Sequence, residues 1–131
     1  PSFDFVYFGT VNGSDIFRLP AAALADESLD NTALSAMIER YAEKGPSDGF
    51  IVDGKGRVYA GNVEQSAITV STPDRFEIIA QDNALLSWVD GFAFANDGTL
   101  YVTQNQLHNH PALNEGEDSS DKQYHILNFK P

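Results

Sequence analysis

The chain has 131 residues, a length typical of one domain with a buried core, and it lacks cysteine, which excludes disulfide bonds and thiolate metal sites. Eight basic and 19 acidic residues give a formal net charge of −11, which disfavours nucleic acids and anionic membranes as partners because both require a cationic surface. No run of about 18 apolar residues is present, so the sequence predicts no membrane-spanning helix.

The chain begins with a predicted β-hairpin. Residues Phe3 to Gly9 are aromatic and β-branched, which is typical of a strand. Asn12-Gly13 favours a tight turn because both residues tolerate a positive φ, and Ile16 to Leu19 forms the returning strand. We expect this pair to be the second and third strands of a four-stranded unit whose first strand is absent.

Residues Pro20 to Gly45 form the one stretch with helical features. Pro20 suits the first turn of a short helix, and Asn31 or Thr32 is a candidate cap for a second helix. In one interpretation the second helix continues along an apolar stripe. In the other it ends near Met37, and Ile38 to Glu43 form a short outer strand. Periodicity alone does not separate the two, and a mixture of helix and strand is expected. The stripe comprises Leu34, Met37, Ile38 and Tyr41.

Residues 46–87 are predicted to form a complete four-stranded antiparallel unit. Turn-forming residues at 53–56, 62–66 and 72–74 separate its apolar segments. The predicted strands are Phe50–Val52, Arg57–Ala60, Ala67–Ser71 and Phe76–Ala80.

Residues 88–131 are predicted to form a similar unit that lacks its last strand. Asp97-Gly98 makes the turn between its first two strands, Phe92–Ala95 and Leu100–Thr103. A polar loop from Gln104 to Gln123 follows, and loops of this length are usually functional or mobile. Tyr124 to Phe129 is the predicted third strand.

A sequence repeat connects the last two units. Asp90 follows Asp48 by 42 residues, and each begins an Asp-Gly-Phe sequence that leads through a strand and a glycine turn to a tyrosine. A repeat of about 40–45 residues built from short strands is typical of a β-propeller blade, and the chain holds about three such lengths, too few to close a ring. We therefore expect one mainly β domain, residues 1–131. It is an incomplete β-propeller of about two and a half four-stranded antiparallel blades with one short helical insertion. The predicted divisions are an incomplete blade 1–45, a full blade 46–87 and an incomplete blade 88–131.

Several short motifs in consistent order resemble the yellow/major royal jelly protein family in its bacterial form. They include Phe5-Val6-Tyr7-Phe8-Gly9, Ile16-Phe17-Arg18-Leu19-Pro20, Ser47-Asp48-Gly49, Ala80-Gln81-Asp82, Trp88, Asp90-Gly91-Phe92-Ala93, Gln106-Leu107-His108 and Tyr124-His125-Ile126. Val89 is a departure, since the family typically has proline there. The resemblance covers nearly the whole chain and implies the C-terminal part of a six-bladed propeller related to the senescence-marker/gluconolactonase group. In those gluconolactonases, Glu, Asn and Asp residues hold a divalent metal at the axis, whereas yellow-type members bind small aromatic amines or have no settled activity.

Asp48 and Asp90 are the candidate ligand-binding residues. Each stands where an innermost strand starts, so in a propeller both would point toward the central channel. A carboxylate there can bind a hard cation such as Ca²⁺ or an amine. The alternative is that each Asp only caps its own turn by accepting hydrogen bonds from backbone N–H groups.

His108 and His110 are weaker candidates in the polar loop. Together with Glu115 and Asp118 they suggest a metal cluster, but a His-x-His pair places both rings on one side only in an extended strand, and Pro111 favours a solvated loop. No catalytic residue is assigned, and no organic cofactor is predicted.

Two hypotheses for function follow. The first is a binding or scaffold module of the yellow/royal jelly type with no complete active site in one chain. It would take a small-molecule ligand and associate as a homodimer through open strand edges, or be joined by N-terminal blades. The second is a metal-dependent lactone hydrolase whose site is completed by another chain or by further sequence. The sequence favours neither a cytoplasmic nor an exported location.

Overall fold

A computed structural model describes residues 3–131, which form three antiparallel sheets. Two short helices lie between the second and third strands of the first sheet. The chain is mainly β, as the sequence predicts. Within the described range, no helix has both the length and the apolar character needed to cross a bilayer.

The first sheet has three strands in the order β1-β2-β3. Its strands are β1 (Phe5–Phe8), β2 (Asp15–Pro20) and β3 (Glu39–Glu43). The predicted N-terminal hairpin is confirmed, since β1 and β2 pair directly. Its turn is closed by a 3.1 Å hydrogen bond from Gly13 N to Thr10 O.

The helical stretch contains α1 (Ala21–Leu24) and α2 (Asn31–Ala36). The cap of α2 is Asp30, whose side chain accepts a 2.8 Å hydrogen bond from Ala33 N. The prediction of Asn31 or Thr32 as the cap was therefore wrong by one or two positions. The Asp30 carboxylate, immediately before the helix, satisfies a backbone N–H group of the first turn that has no partner within the helix.

The interpretation that ends the helix near Met37 is correct, because β3 begins at Glu39. Tyr41 belongs to this strand and not to a helical stripe. Its hydroxyl donates a 2.6 Å hydrogen bond to Gly56 O, and its ring packs edge-on against Tyr7 at a centroid distance of 5.1 Å. These contacts with residues distant in sequence outweigh the helical spacing of the apolar residues.

The second sheet has four strands in the predicted sequential order β4-β5-β6-β7. They are β4 (Phe50–Val52), β5 (Val58–Asn62), β6 (Ala67–Thr72) and β7 (Arg75–Gln81). The register shifts once, between Ile68 and Thr69 of β6.

The third sheet has the order β8-β9-β10. Its strands are β8 (Val89–Phe94), β9 (Leu100–Gln104) and β10 (His125–Phe129). β8 begins three residues before the predicted Phe92, because a register shift between Val89 and Phe92 keeps Asp90-Gly91 within the strand. The loop between β9 and β10 contains a short 3₁₀ helix, Leu107–Asn109.

The two predicted glycine turns are present. Asp53 and Asp97 each accept a hydrogen bond from the backbone N–H two residues further on, at 2.8 and 3.0 Å. Gly56 and Gly98 complete these turns with φ of 78° and 82°, a conformation that side-chain-bearing residues rarely adopt.

Two apolar clusters fill the spaces between neighbouring sheets. Val58 belongs to the cluster between the first and second sheets, and the next residue, Tyr59, belongs to the cluster between the second and third. This follows from the alternation of side chains along a strand. The first cluster is Ile16, Ala42 and Val58; the second is Tyr59, Ile68, Leu86, Val89, Leu100 and Val102.

The second and third sheets approach closely at β4 and β8. A Cβ atom at Gly49 would overlap the carbonyl oxygen of Asp90, and one at Gly61 would lie 2.5 Å from the carbonyl oxygen of Val89. The first sheet contacts the second through β3, against β6 and β7. Three antiparallel sheets packed in sequence order are consistent with part of a β-propeller.

Lys44 connects the segment that follows β3 to the turn of the N-terminal hairpin. Its side chain is buried, and its Nζ donates hydrogen bonds to the carbonyl oxygens of Thr10, Gly13 and Gly45 at 2.8, 2.8 and 3.0 Å. All three ammonium protons are thereby matched with acceptors. Burial lowers the pKa of Lys44.

Candidate functional site

The close contact of β4 and β8 brings Asp48 and Asp90 together. Asp48 lies two residues before β4, and Asp90 is the second residue of β8. Because Gly49 touches the backbone of Asp90, the two carboxylate-bearing residues are neighbours although 42 positions separate them. The glycine that follows Asp48 in the repeat therefore permits the approach.

The Asp48 carboxylate is close enough to affect the pKa of the Asp90 carboxyl. Loss of solvent around the Asp90 carboxyl, and secondarily the negative charge of Asp48, raise the pKa of Asp90. Two like charges in one place favour binding of a proton or of another cation. The pair is therefore electrostatically prepared to bind positive charge.

Trp88 holds the Asp48 carboxylate. Its indole Nε1 donates a 2.8 Å hydrogen bond to Asp48 Oδ2. Trp88 is half-buried and directly precedes Val89, a residue of the core between the second and third sheets. Asp48 thus accepts a hydrogen bond from a side chain that is 40 positions away in the sequence.

The polar loop adds an aromatic neighbour to Trp88. The His108 ring stacks on the indole with a centroid distance of 5.9 Å and an interplanar angle of 11°. The loop is held in place by a 2.9 Å hydrogen bond from Asn105 N to Trp88 O. His108 Nδ1 is buried and has no hydrogen-bond partner among residues 3–131. One of the two weaker loop candidates, His108, therefore stacks on the side chain that donates to Asp48.

His110 lies in a different environment. It is exposed, and its Nδ1 accepts a 3.2 Å hydrogen bond from Ala112 N within the loop. The nearby Asp118 forms an ion pair with Lys122. His108, His110 and the acidic loop residues, the less favoured metal cluster of the sequence analysis, are thus divided among separate contacts.

The described part of the chain assembles no group of three or more His, Asp or Glu residues that could hold a metal ion. Ca²⁺ takes six to eight oxygen ligands. Asp48 and Asp90 alone do not supply such a set, and Asp48 already accepts the Trp88 bond. These residues do not fit the divalent metal site that the gluconolactonase resemblance implies, and we derive no hydrolytic step through a metal.

Sequence reasoning did not assign Trp88 a role in the site. The available signal was its uniqueness: it is the one tryptophan of the chain, and it stands two residues before Asp90, where the first copy of the repeat has Pro46.

The four side chains of this site form what we call the acidic-aromatic mouth: Asp48, Trp88, Asp90 and His108. A carboxylate at the edge of an indole attracts organic cations through its charge, and the negative electrostatic potential of the ring face adds to this attraction. The mouth contains no cationic group that is permanently charged. Its chemistry therefore favours a protonated amine over an anion.

Comparison with known proteins gives one family-level result. The family model described as major royal jelly protein matches residues 2–130. No curated protein sequence matches the chain.

Proposed function

This chain belongs to the major royal jelly protein family, and on that premise we propose that it is a propeller-type binding module whose acidic-aromatic mouth binds a small aromatic amine. The three sheets then correspond to an incomplete blade 1–45, a full blade 46–87 and an incomplete blade 88–131. The mouth lies where the innermost strands β4 and β8 meet, which is the position of the channel in a propeller.

The observation that carries this proposal is the hydrogen bond from Trp88 to Asp48 beside a second carboxylate. The bond fixes one carboxylate against the edge of an indole, while the face of that indole is stacked with His108. The raised pKa of Asp90, caused first by loss of solvent and second by the charge of Asp48, supports a site that favours a neutralising cation. A protonated amine relieves the repulsion between the two carboxylates, and its ring adds aromatic contacts.

Titration with 2-phenylethylamine tests the proposal, because Trp88 is the one tryptophan and reports on the mouth by fluorescence. We expect a saturable change and a weaker response to the neutral analogue 2-phenylethanol. Asp48→Asn should lower the affinity about tenfold, the effect of losing roughly 1.4 kcal/mol of charge interaction. Asp74→Asn removes an acidic residue from the turn between β6 and β7 and serves as the matched control. Equal affinities of Asp48→Asn, Asp90→Asn and the unaltered protein would exclude the mouth as the amine site.

Self-association is a second proposal, supported by a separate observation. β10 pairs with β9 on one side, and no strand among residues 3–131 pairs with its other edge. The exposed face of this strand carries Ile126, which is 74% exposed, next to Tyr124 at 62%. An open edge with apolar side chains is a surface to which another strand can add. A second copy of the chain is the occupant that we propose.

Light scattering tests self-association against the sequence mass of 14.3 kDa. We expect a dimer, and we expect Ile126→Lys to shift the mass toward the monomer because a charge on the strand opposes edge pairing. Leu113→Lys, which alters an exposed apolar residue of the polar loop, is the control. A monomer at all concentrations would contradict the proposal.

The alternative of a metal-dependent lactone hydrolase requires oxygen ligands in addition to Asp48 and Asp90. A calcium titration followed by thermal unfolding distinguishes it from the binding module. Ca²⁺ at about 100 times its Kd would stabilise a protein with a preformed site by roughly 2.7 kcal/mol. An unchanged unfolding temperature would exclude a calcium-dependent site formed by this chain.

A further inference from the structure

A cavity that is separate from the mouth lies on the outer part of the second sheet, next to the C-terminal residues of the described chain. Its volume is about 340 Å³, in the range of small-molecule sites. We call it the outer cavity. Its principal lining residues are Arg57, Tyr59, Val70, Arg75, Phe129 and Lys130.

Strand register explains why these side chains converge. Tyr59 pairs with Val70 across β5 and β6, and Val70 pairs with Glu77 across β6 and β7. Directly paired residues and residues two positions apart share a face of a sheet, so Arg57 and Arg75 lie on the same face as Tyr59. Phe129 at the end of β10 covers this face from the third sheet.

The outer cavity is rich in cationic donors although the chain has a net charge of −11. Arg57 pairs with Asp53 through Nε, and Arg75 pairs with Glu77 through one terminal nitrogen. Lys130 lies 3.4 Å from Asp97. A guanidinium has five N–H groups, so each arginine retains donors beyond those ion pairs. Each of the three cations is paired with one carboxylate, and of these carboxylates only that of Glu77 also lines the outer cavity.

Tyr59 supplies a buried polar group without a partner. The residue has no exposed surface, and its hydroxyl forms no hydrogen bond with any residue from 3 to 131. Its ring is held edge-on against Phe94 at 5.4 Å. Burial raises the pKa of Tyr59, so the hydroxyl remains protonated and able to donate. A buried hydroxyl that lacks an acceptor is unfavourable, and a bound acceptor relieves that deficit.

We propose that the outer cavity binds a small organic carboxylate with an apolar body. The carboxylate accepts hydrogen bonds from the Tyr59 hydroxyl and from the arginine and lysine donors, which are well matched to an oxyanion. The apolar body packs against Val70 and Phe129. This preference is opposite in charge to that of the acidic-aromatic mouth.

Titration of ¹⁵N-labelled protein with phenylacetate, followed by amide chemical shifts, tests the proposal. We expect saturable shifts in β6, β7 and Phe129, and binding by the neutral isostere phenylacetamide that is about tenfold weaker. Arg75→Gln, a change at an exposed residue, should weaken phenylacetate binding about fivefold. Asp48→Asn should leave it unchanged, which separates this site from the proposed amine site.

Tyr59→Phe provides a readout that a purely structural role would not give. Removal of an unpaired buried hydroxyl should maintain or increase the unfolding temperature, while phenylacetate binding weakens about fivefold. Three results would overturn the proposal: no saturable shifts, equal binding of phenylacetate and phenylacetamide, or unaltered binding by both Arg75→Gln and Tyr59→Phe.

Discussion

The indole Nε1 of Trp88 donates a 2.8 Å hydrogen bond to Oδ2 of Asp48, across 40 positions of sequence. The bond joins the residue that precedes β8 to the residue before Gly49 at the entrance of β4. It thereby ties the second sheet to the third at the acidic-aromatic mouth. The same contact orients the carboxylate on which the proposed amine site depends.

Trp88→Phe tests how much this contact contributes to folding. The change removes the donor to Asp48 and keeps an aromatic ring opposite His108. Hydrogen bonds to charged groups contribute about 1.5–3 kcal/mol, and because this one is only partly buried we expect a loss of about 1–2 kcal/mol in unfolding free energy. Urea denaturation followed by circular dichroism measures it. Tyr101→Phe, at an exposed aromatic residue, is the control, and a loss no larger than the control's would contradict the assigned role.

Asp90→Asn tests, through its pH dependence, whether the charge of Asp90 destabilises the fold, by loss of solvent and by the nearby Asp48. The pKa of Asp90 is raised, so between the ordinary value of 3.8 and the raised value the folded state binds more protons than the unfolded state. Unfolding free energy therefore falls as pH increases through this window, and the destabilisation is fully present above it. We expect Asp90→Asn to be more stable than the unaltered protein near pH 7, by about 0.5 kcal/mol or less because the residue is exposed. The difference should disappear near pH 3.

Urea titrations at these two pH values measure the effect, with Asp74→Asn as the control for a carboxylate in an exposed turn. A gain for Asp90→Asn that is the same at both pH values would show that the charge of Asp90 is not its origin.

Gly49→Ala tests the close approach of β4 and β8. The added Cβ would meet the Asp90 carbonyl, a backbone atom that cannot rotate away, so the strands must separate. We expect a loss of about 3 kcal/mol or more in unfolding free energy. Gly98→Ala is the comparison: its φ of 82° imposes backbone strain of about 1 kcal/mol, but no atom lies within 4 Å of the new Cβ. Thermal or urea unfolding that ranks the two variants in the reverse order would contradict the contact.

Lys44→Met tests the buried ammonium. Methionine retains the aliphatic length but leaves the carbonyl oxygens of Thr10, Gly13 and Gly45 without their donor. Because each unsatisfied buried acceptor costs about 1–3 kcal/mol, less where water can enter, we expect an overall loss of about 3 kcal/mol. Urea denaturation measures it. Lys55→Met, in an exposed turn, should change stability by no more than about 0.5 kcal/mol. Equal stabilities of the two variants would show that Lys44 is not required by the hairpin.

Much of the fold could be predicted because its signals are local. Alternating apolar residues and glycine turns located all four strands of the second sheet, and Gly56 and Gly98 have the positive φ that their turns require. The boundary at β3 was ambiguous because its decisive contacts are distant in sequence. Tyr41 bonds to Gly56 and packs on Tyr7, and neither contact leaves a trace in the periodicity of residues 31–43.

The candidate site could be predicted only in part. The repeat identified Asp48 and Asp90, whose roles as ligand residues stay a prediction, but it carried no information that Trp88 bonds to one of them. His108 was noticed for its metal-binding chemistry, whereas the structure gives it a stacking contact. The structural role of Lys44 was not predicted, because a buried lysine is recognised only when its three acceptors are assembled in space.

The missing side chain at Gly49 also affects how the second and third sheets are arranged relative to each other. Where β4 meets β8, only backbone separates the two sheets, whereas elsewhere Tyr59 and Leu100 fill the space between them. The gap between sheets is thus narrow at one end and wide at the other, like the gap between spokes. The angle between the second and third sheets therefore depends on this taper. A bulkier residue at position 49 would hold β4 and β8 further apart, so that the second and third sheets would lie closer to parallel.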